Sequence, residues 1–348
     1  MNIPLQNLLH ALKEHLIDAF LVTKDENIFY LTGYPSQESW LLVCKKRVFL
    51  LTDGRHSLEA KRFLKDVEVL ECKKPIFEEL AQIAVHQKVR ALGFDERYIT
   101  VSSFKRLKQA LRGTVKLLGR CSVIEEIRSV KSCKELAKIK KALDFHRQCL
   151  VYLKQIIQPG RSESQVFEKL EHYVRVHHHQ FSFPTIIASG PNSCFPHARI
   201  TQRKLRRGEP VLVDMGIDVE GYKSDLTRMF FLGKIPHRVR EVYDAVAQAQ
   251  RFAIEKIKPG VLAKDIDAQA RNFLKQQKLD SFFNHSLGHG VGLEIHEAPG
   301  ISPKSSAVVK EGMVFTVEPG VYIPGQFGIR IEDMVLVTPK GHKVLSQF

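Results

Sequence analysis

The chain has 348 residues, 44% of them hydrophobic and 26% charged, with a formal net charge of +15. That length allows two domains and a substantial core, while no apolar run approaches the ~20 residues needed to span a bilayer. The start, Met1-Asn2-Ile3-Pro4-Leu5-Gln6-Asn7, has neither a basic nor a long apolar segment to serve as a signal peptide, so a cytoplasmic protein without a membrane partner is expected. The six cysteines (Cys44, Cys72, Cys121, Cys133, Cys149, Cys194) are scattered and form no Cys-x-x-Cys pair, which reads as free thiols in a reducing compartment. Cys194 is taken as a small wall residue rather than a nucleophile. The positive residues are spread among acids, most densely at Arg203-Lys204-Leu205-Arg206-Arg207. They lack the stacking aromatics of a single-strand binding face and read as a solvated surface, with no specific nucleic acid as partner.

From the amino end, residues 1–122 alternate amphipathic helices (Leu5 to Leu16, Ser57 to Leu64, Ile76 to His86) with short apolar strands (Ala19 to Val22, Ser39 to Val43, Val48 to Leu51, Val67 to Leu70, Ala91 to Phe94). This is the pattern of a small α/β domain. A charged link through Glu125 to Ser132 leads into a long helical stretch from Cys133 to about Ile157, which opens a second domain over 123–348. The run His177-His178-His179 reads as the end of a surface helix, since sequence neighbours on a helix point in different directions.

The second domain repeats itself. Ile157-Gln158-Pro159-Gly160 and Ile257-Lys258-Pro259-Gly260 are one turn set a hundred residues apart, each followed by a helical pattern. A histidine follows in each half, His197 in Phe195-Pro196-His197-Ala198 and His296 in Glu294-Ile295-His296-Glu297. Then comes a pair of acids in each half. Asp214 lies six residues after Gly208 and Asp225 eleven further on; Glu318 lies six residues after Gly312 and Glu332 fourteen further on. Each pair sits on β-rich runs joined by a turn, Glu220-Gly221 or Pro324-Gly325, and so reads as a hairpin aiming its acids at one face. Asp214 and Glu318 stand in apolar runs that look like sheet interior, where an unpaired carboxylate costs several kcal/mol. Arg228 and Arg330 offer salt bridges to any one acid. For four carboxylates together with His289, flanked by Gly288 and Gly290, two divalent cations fit better.

The order Asp214, Asp225, His289, Glu318, Glu332, with Pro196-His197-Ala198, Gly288-His289-Gly290-Val291-Gly292 and Thr316-Val317-Glu318-Pro319-Gly320, resembles the pita-bread metallopeptidases, in their Xaa-Pro aminopeptidase and prolidase branch. Asn27-Ile28-Phe29-Tyr30-Leu31-Thr32-Gly33-Tyr34, Leu51-Thr52-Asp53-Gly54-Arg55 and Gly93-Phe94-Asp95 look like that branch's creatinase-type amino-terminal domain. The resemblance implies an α+β chain, a pita-bread catalytic domain with an internal pseudo-twofold preceded by the smaller α/β domain, and a homodimer. It implies two divalent ions, with manganese favoured and cobalt or iron possible, bound by Asp214, Asp225, His289, Glu318 and Glu332. A hydroxide bridging the ions would attack the peptide carbonyl. Glu318 would also shuttle a proton, His197 and His296 would bind the substrate carbonyl and oxyanion, His285 would line the pocket, and Thr227 and Arg330 would hold the ligand acids.

The substrates implied are peptides with proline in second position. Dipeptide-specific prolidases commonly carry an arginine after the proline of the His-Glu-x-Pro motif, and this chain has Pro299-Gly300, which favours an aminopeptidase acting on longer peptides, with prolidase as the alternative. A methionine aminopeptidase would normally lack the first domain. A non-catalytic peptide- or nucleic-acid-binding relative, or a metal-free creatinase-like enzyme, would have lost ligand positions that are intact here.

Overall fold

The computed structural model describes residues 2–14 and 16–347. The chain divides into two compact units, Met1–Arg128 and Ser129–Phe348.

The first unit holds α1 (Ile3–Glu14), β1 (Ala19–Val22), α2 (Asp25–Thr32), β2 (Trp40–Cys44), β3 (Val48–Thr52), α3 (Ser57–Phe63), β4 (Glu68–Glu71), α4 (Ile76–His86), β5 (Ala91–Asp95), α5 (Val101–Ala110), β6 (Lys116–Arg120) and α6 (Val123–Ser129). Of the helix expected over Leu5 to Leu16, His15 lies outside the described residues, as do Met1 and Phe348 at the limits of the expected domains. The strands form one mixed sheet in the order β4-β3-β2-β1-β5-β6. Alternation along each strand feeds two cores. Phe20 and Val22 pack with Leu5, Leu8, Ile28 and Leu31 on one face, while Ala19 and Leu21 pack with Phe77, Leu80, Ala84 and Leu107 on the other. Burial on both faces explains why these strands read as unbroken apolar runs.

The unit runs past the boundary expected at residue 122, because the charged stretch read as a link is α6. Ile124 is buried in the first core. Arg128, 2% exposed, donates from Nη1 to Asn27 Oδ1 at 2.7 Å, and Asn27 Nδ2 donates to Glu125 Oε1 at 2.9 Å. Charges that look solvated in sequence thus pin the helix inward.

The second unit opens with α7 (Cys133–Ile156) and α8 (Glu163–Val176). Both begin with a capping box, Ser132 with Glu135 and Ser162 with Gln165, which satisfies the first free backbone N–H groups. Next come β7 (Gln180–Phe181), β8 (Ile186–Ser189), β9 (Pro210–Met215), β10 (Ile217–Val219), β11 (Tyr222–Lys223) and β12 (Leu226–Phe231). A second helix pair, α9 (His237–Glu255) and α10 (Ala263–Gln276), precedes β13 (Gly288–Gly290), β14 (Glu297–Ile301), β15 (Val314–Val317), β16 (Gly320–Ile323), β17 (Phe327–Arg330), β18 (Asp333–Thr338) and β19 (Gly341–Val344). The sheets run β12-β9-β8 and β14-β13-β15-β18-β19, with a small β11-β10-β7 sheet and the β16-β17 hairpin beside them.

The internal repeat is physical. The backbone N–H of Gly160 donates to Leu205 O and that of Gly260 to Val309 O, both at 2.9 Å. Each glycine takes a positive φ, 90° and 87°, which closes the turn before its helix. Val246, Ala249, Ile266, Ala270 and Leu274 of α9 and α10 bury against Phe315, Val317 and Val335, so the apolar face of that helix pair fixes the sheet from which Glu318 and Glu332 emerge.

His146 on α7 is fully buried, with Nδ1 3.1 Å from Ser224 Oγ and Nε2 without a hydrogen-bond partner. Burial, with the Arg228 charge adding to it, pushes its pKa from 6.5 down to about 3. The folded pKa is depressed, so the unfolded chain takes up the proton first, and stability present above pH ~6.5 is lost as pH falls toward ~3, at up to ~1.4 kcal/mol per pH unit. Urea titrations at stepped pH should show a shallower acid dependence in His146→Leu than in the parent; parallel curves would refute the assignment.

Candidate metal centre

Register decides which acids meet. On β9, Asp214 stands opposite Thr227 of β12 and Ile186 of β8, and Asp225 immediately precedes β12. In the second half, Val317 pairs with Asp333, so Glu318, just after β15, and Glu332, just before β18, leave the same end of the ladder. The hairpin turn at Glu220-Gly221 lies between β10 and β11 and that at Pro324-Gly325 between β16 and β17.

Ligand-type atoms of Asp225, His289 and Glu332 all lie within 4.8 Å of one another. His289 Nε2 is 3.2 Å from Glu318 Oε1 and 3.5 Å from Asp225 Oδ2. Asp214 faces the cluster from β9 and is bound through Oδ2 by the Arg330 guanidinium. Thr227 Oγ1 donates to Glu332 Oε2 at 2.8 Å and accepts from Arg330 Nε at 3.0 Å. Thr316 Oγ1 donates to Glu318 Oε1 at 3.1 Å and accepts the backbone N–H of His289 at the same distance. Each half therefore supplies a threonine that orients a carboxylate, Thr227 that of Glu332 in the other half and Thr316 that of Glu318 in its own.

Electrostatics show how far this ring departs from ordinary structure. Burial, then the charges of Glu332, Asp214 and Glu318, push Asp225 well above the usual carboxylate range. Burial, then Glu318 and Asp214, do the same to Glu332. Burial also raises Asp214, against the pull of Arg330. Burial works against ionisation of Glu318 too, but the hydrogen bond and charge of His289 outweigh it and hold this acid at about 2. For His289 itself, burial opposes the charge and Glu318 overcomes it, raising the imidazole.

Two of the carboxylate oxygens, Asp214 Oδ1 and Glu332 Oε1, are buried with no hydrogen-bond partner. His289 Nδ1 lies 3.2 Å from Gly290 O, so a proton carried on Nδ1 has an acceptor there, and the Nε2 lone pair can then serve a cation in place of the proton it shares with Glu318. Orphaned acceptors converging on one point are what a hard divalent cation relieves, and a donor set of carboxylates with one imidazole suits manganese, cobalt or iron. The residues present fit the group.

Around this ring lies a cavity of about 850 Å³, lined by all five of these residues together with His197, His285, His296 and Arg330. His296 is exposed on the loop between β13 and β14, its ring 4.2 Å from that of His289; burial, then His289, lower its pKa. His197 is exposed on the loop after β8. His285 is half-buried, with Nε2 3.0 Å from Tyr322 Oη, and burial lowers it. Thr227 is fully buried. The offered arginines separate. Arg330 binds Asp214, whereas Arg228 donates from Nη2 to Asp333 Oδ1 at 2.7 Å and from Nη1 to the backbone carbonyl of Glu332.

Several supporting residues carry no sequence signal. Glu163, fully buried, accepts from the backbone N–H and Oγ of Ser189 at 2.7 and 2.8 Å, from Asn192 Nδ2 at 2.8 Å, and from the backbone N–H and Oγ1 of Thr201 at 3.0 and 2.6 Å. It thereby fixes the loop that carries His197. Gln250 Nε2 lies 3.0 Å from Val317 O, 3.2 Å from Ile331 O and 3.0 Å from Asp333 Oδ2, tying together the residues next to Glu318 and Glu332. Lys131 Nζ, 2.7 Å from Glu297 Oε1, forms an ion pair with both side chains at most 3% exposed, and Glu297 Oε2 accepts the N–H of Glu294 at 3.3 Å. This pair braces the loop of His296. Tyr322 Oη accepts from Arg330 Nη1 at 2.7 Å, and burial pushes the phenol up to about 12.

The strand that carries His289 makes two close approaches. A Cβ on Gly288 would fall 2.0 Å from Thr316 O, and one on Gly290 2.2 Å from Ala298 O.

Comparison with known proteins shows the family. The family model for metallopeptidase family M24 matches residues 137–339, and that for the creatinase/prolidase N-terminal domain matches residues 4–130. The Xaa-Pro dipeptidase of Pyrococcus furiosus is 35% identical over 346 residues, 99% of this chain and 97% of its own. An Xaa-Pro dipeptidase from Bacillus anthracis superposes with a TM-score of 0.94 at 32% identity, over 99% of this chain and 97% of that one. An X-Pro aminopeptidase from Thermotoga maritima gives a TM-score of 0.88 at 34% identity, over 96% and 97%. The α+β architecture, with an amino-terminal domain and a pita-bread catalytic domain, follows from these matches.

Proposed function

The chain belongs to metallopeptidase family M24, and from that premise we propose that it is an Xaa-Pro dipeptidase, hydrolysing the bond between an amino-terminal residue and a terminal proline. The observation that carries the hydrolytic reading is the convergence of Asp214, Asp225, His289, Glu318 and Glu332, with orphaned carboxylate oxygens, on a cavity walled by His197 and His296. The dipeptide reading is supported by relatives named as Xaa-Pro dipeptidases that match over nearly the whole chain. These outweigh the preference for longer peptides drawn from Gly300. That preference keeps a second reading, an aminopeptidase, in play, supported by the Thermotoga maritima relative.

Asp214, Asp225, His289, Glu318 and Glu332 would hold two divalent ions, manganese, cobalt or iron by the hardness of the donors and manganese first among these by the family resemblance. When bound, such a pair supplies Lewis acidity and a water of near-neutral pKa. Glu318 moves the proton. Its Oε1 accepts from Thr316 Oγ1, which leaves Oε2 to accept a proton from the attacking water and pass it to the proline nitrogen, a secondary amine that leaves only once protonated. His197 and His296 donate hydrogen bonds to the substrate carbonyl as negative charge grows on its oxygen, an effect of about 3 kcal/mol in comparable sites.

The test is release of alanine from Ala-Pro, Ala-Pro-Ala and Ala-Ala-Ala after chelation and readdition of manganese. Cleavage of Ala-Pro in preference to the tripeptides is expected. Cleavage of Ala-Pro-Ala without Ala-Pro would make the enzyme an aminopeptidase, and inertness toward all of them would end both readings.

A further inference from the structure

A dipeptide held for cleavage places its own carboxylate one residue beyond the scissile bond, inside the cavity whose floor already carries Asp214, Asp225, Glu318 and Glu332. An anion there needs a fixed cation within reach. Two arginines line the cavity, Arg330 and Arg199, and its lining includes no lysine. Arg330 is committed to Asp214, to Tyr322 Oη, to Thr227 Oγ1 and to the carbonyl of Pro196.

Arg199 is free. It is exposed on the cavity wall two residues after His197, and among the described residues its guanidinium makes no hydrogen bond or ion pair. Its main chain is nevertheless anchored, for Arg199 O accepts from Asn192 Nδ2 at 3.1 Å, and that same amide donates to the buried Glu163. A fixed backbone with an uncommitted planar donor set suits two-point binding of a carboxylate. Gly300 lines the same cavity without a side chain, and a Cβ there would meet nothing within 4 Å, so nothing at that position obstructs an arm reaching across from the loop of His197. The geometry points to Arg199 as the residue that binds the carboxylate ending a dipeptide substrate, an inference that rests on the dipeptidase reading. Arg199 thus sets specificity for a free carboxylate and takes no part in the proton transfers.

The experiment compares Ala-Pro with its carboxyl-terminal amide, nearly identical in size but uncharged at that end, in the manganese-loaded parent, Arg199→Gln and Arg199→Lys. In the parent, KM is lower for Ala-Pro than for the amide. In Arg199→Gln, KM for Ala-Pro rises about ten- to hundredfold, the loss of one charge-assisted hydrogen-bonded contact, and the preference for the acid over the amide collapses toward one. Arg199→Lys falls between. A parent without preference for the free acid, or an Arg199→Gln variant that keeps the parental preference, overturns the inference while hydrolysis of Ala-Pro leaves the dipeptidase reading standing. Failure of the parent to cleave Ala-Pro sinks that reading, and the inference with it.

Discussion

Asp225→Asn lowers turnover by ~10³ or more, equivalent to ~4 kcal/mol of transition-state stabilisation, and lowers the metal content measured by elemental analysis. Its effect on the metal-free protein has the opposite sign. Asp225 is buried beside Glu332, Asp214 and Glu318, and burial together with their charges already drives its carboxyl toward the neutral form. Asparagine in its place removes the cost of burying and protonating that acid, so the metal-free variant melts above the metal-free parent. Manganese then adds less stability, since a ligand stabilises only as far as it binds the folded state. Thermal scans with chelator and with added manganese separate the two effects. Parental turnover, or a manganese-induced rise in Tm equal to the parent's, would show that Asp225 holds no ion.

Lys131→Met removes about 3–5 kcal/mol of stability, because it takes the charge of Lys131 away from a Glu297 carboxylate held in the interior. Both side chains of this pair are almost inaccessible. The damage reaches the site through Glu297, which holds the N–H of Glu294 two residues before His296 and occupies the space where a Cβ on Gly292 would lie, 2.5 Å from its Oε1. Denaturant titration of the parent, Lys131→Met and the double variant with Glu297→Gln forms the check. The double variant recovers part of the loss, as the buried charge is gone. Equal losses in single and double variants would mean that the cost lies in packing of the lysine stem.

What could be read from residues alone was the part governed by local contradiction. Asp214 and Glu318 stood out because carboxylates do not belong in apolar strands, and the hundred-residue offset between the Pro-Gly turns exposed the repeat. The bracing of those acids stayed hidden for two reasons. Lys131 sits in a stretch of ordinary surface composition and meets its partner 166 positions later, a distance over which spacing says nothing. Gln250, on a helix rich in polar residues, gives no sign that its amide faces two carbonyls of the opposite sheet. The helix within the stretch read as a link, Glu125 to Ser132, has the same origin, since charge implies solvent only when no buried partner exists, and Asn27 and Arg97 supply one. The run at His177 to His179 did end a helix, for α8 closes at Val176 with His177 as its cap, and the rings of His177 and His179 lie tilted against Tyr173 and Phe145.

The two close approaches along the His289 strand carry a consequence for how this centre tolerates change. Gly288 and Gly290 stand where even a methyl group would overlap a neighbouring carbonyl, so alanine at either position must push the strand away from Thr316 or Ala298. The imidazole between them moves with the strand, because the N–H of His289 is held by the hydroxyl that also orients Glu318. An added methyl would therefore act as a change of bond length at the centre, shifting one ligand and tilting another without altering any donor atom. The five side chains could be intact in sequence and still fail to hold an ion, which would make these two hydrogens in place of side chains matter to the proposed coordination as much as the nitrogen they flank.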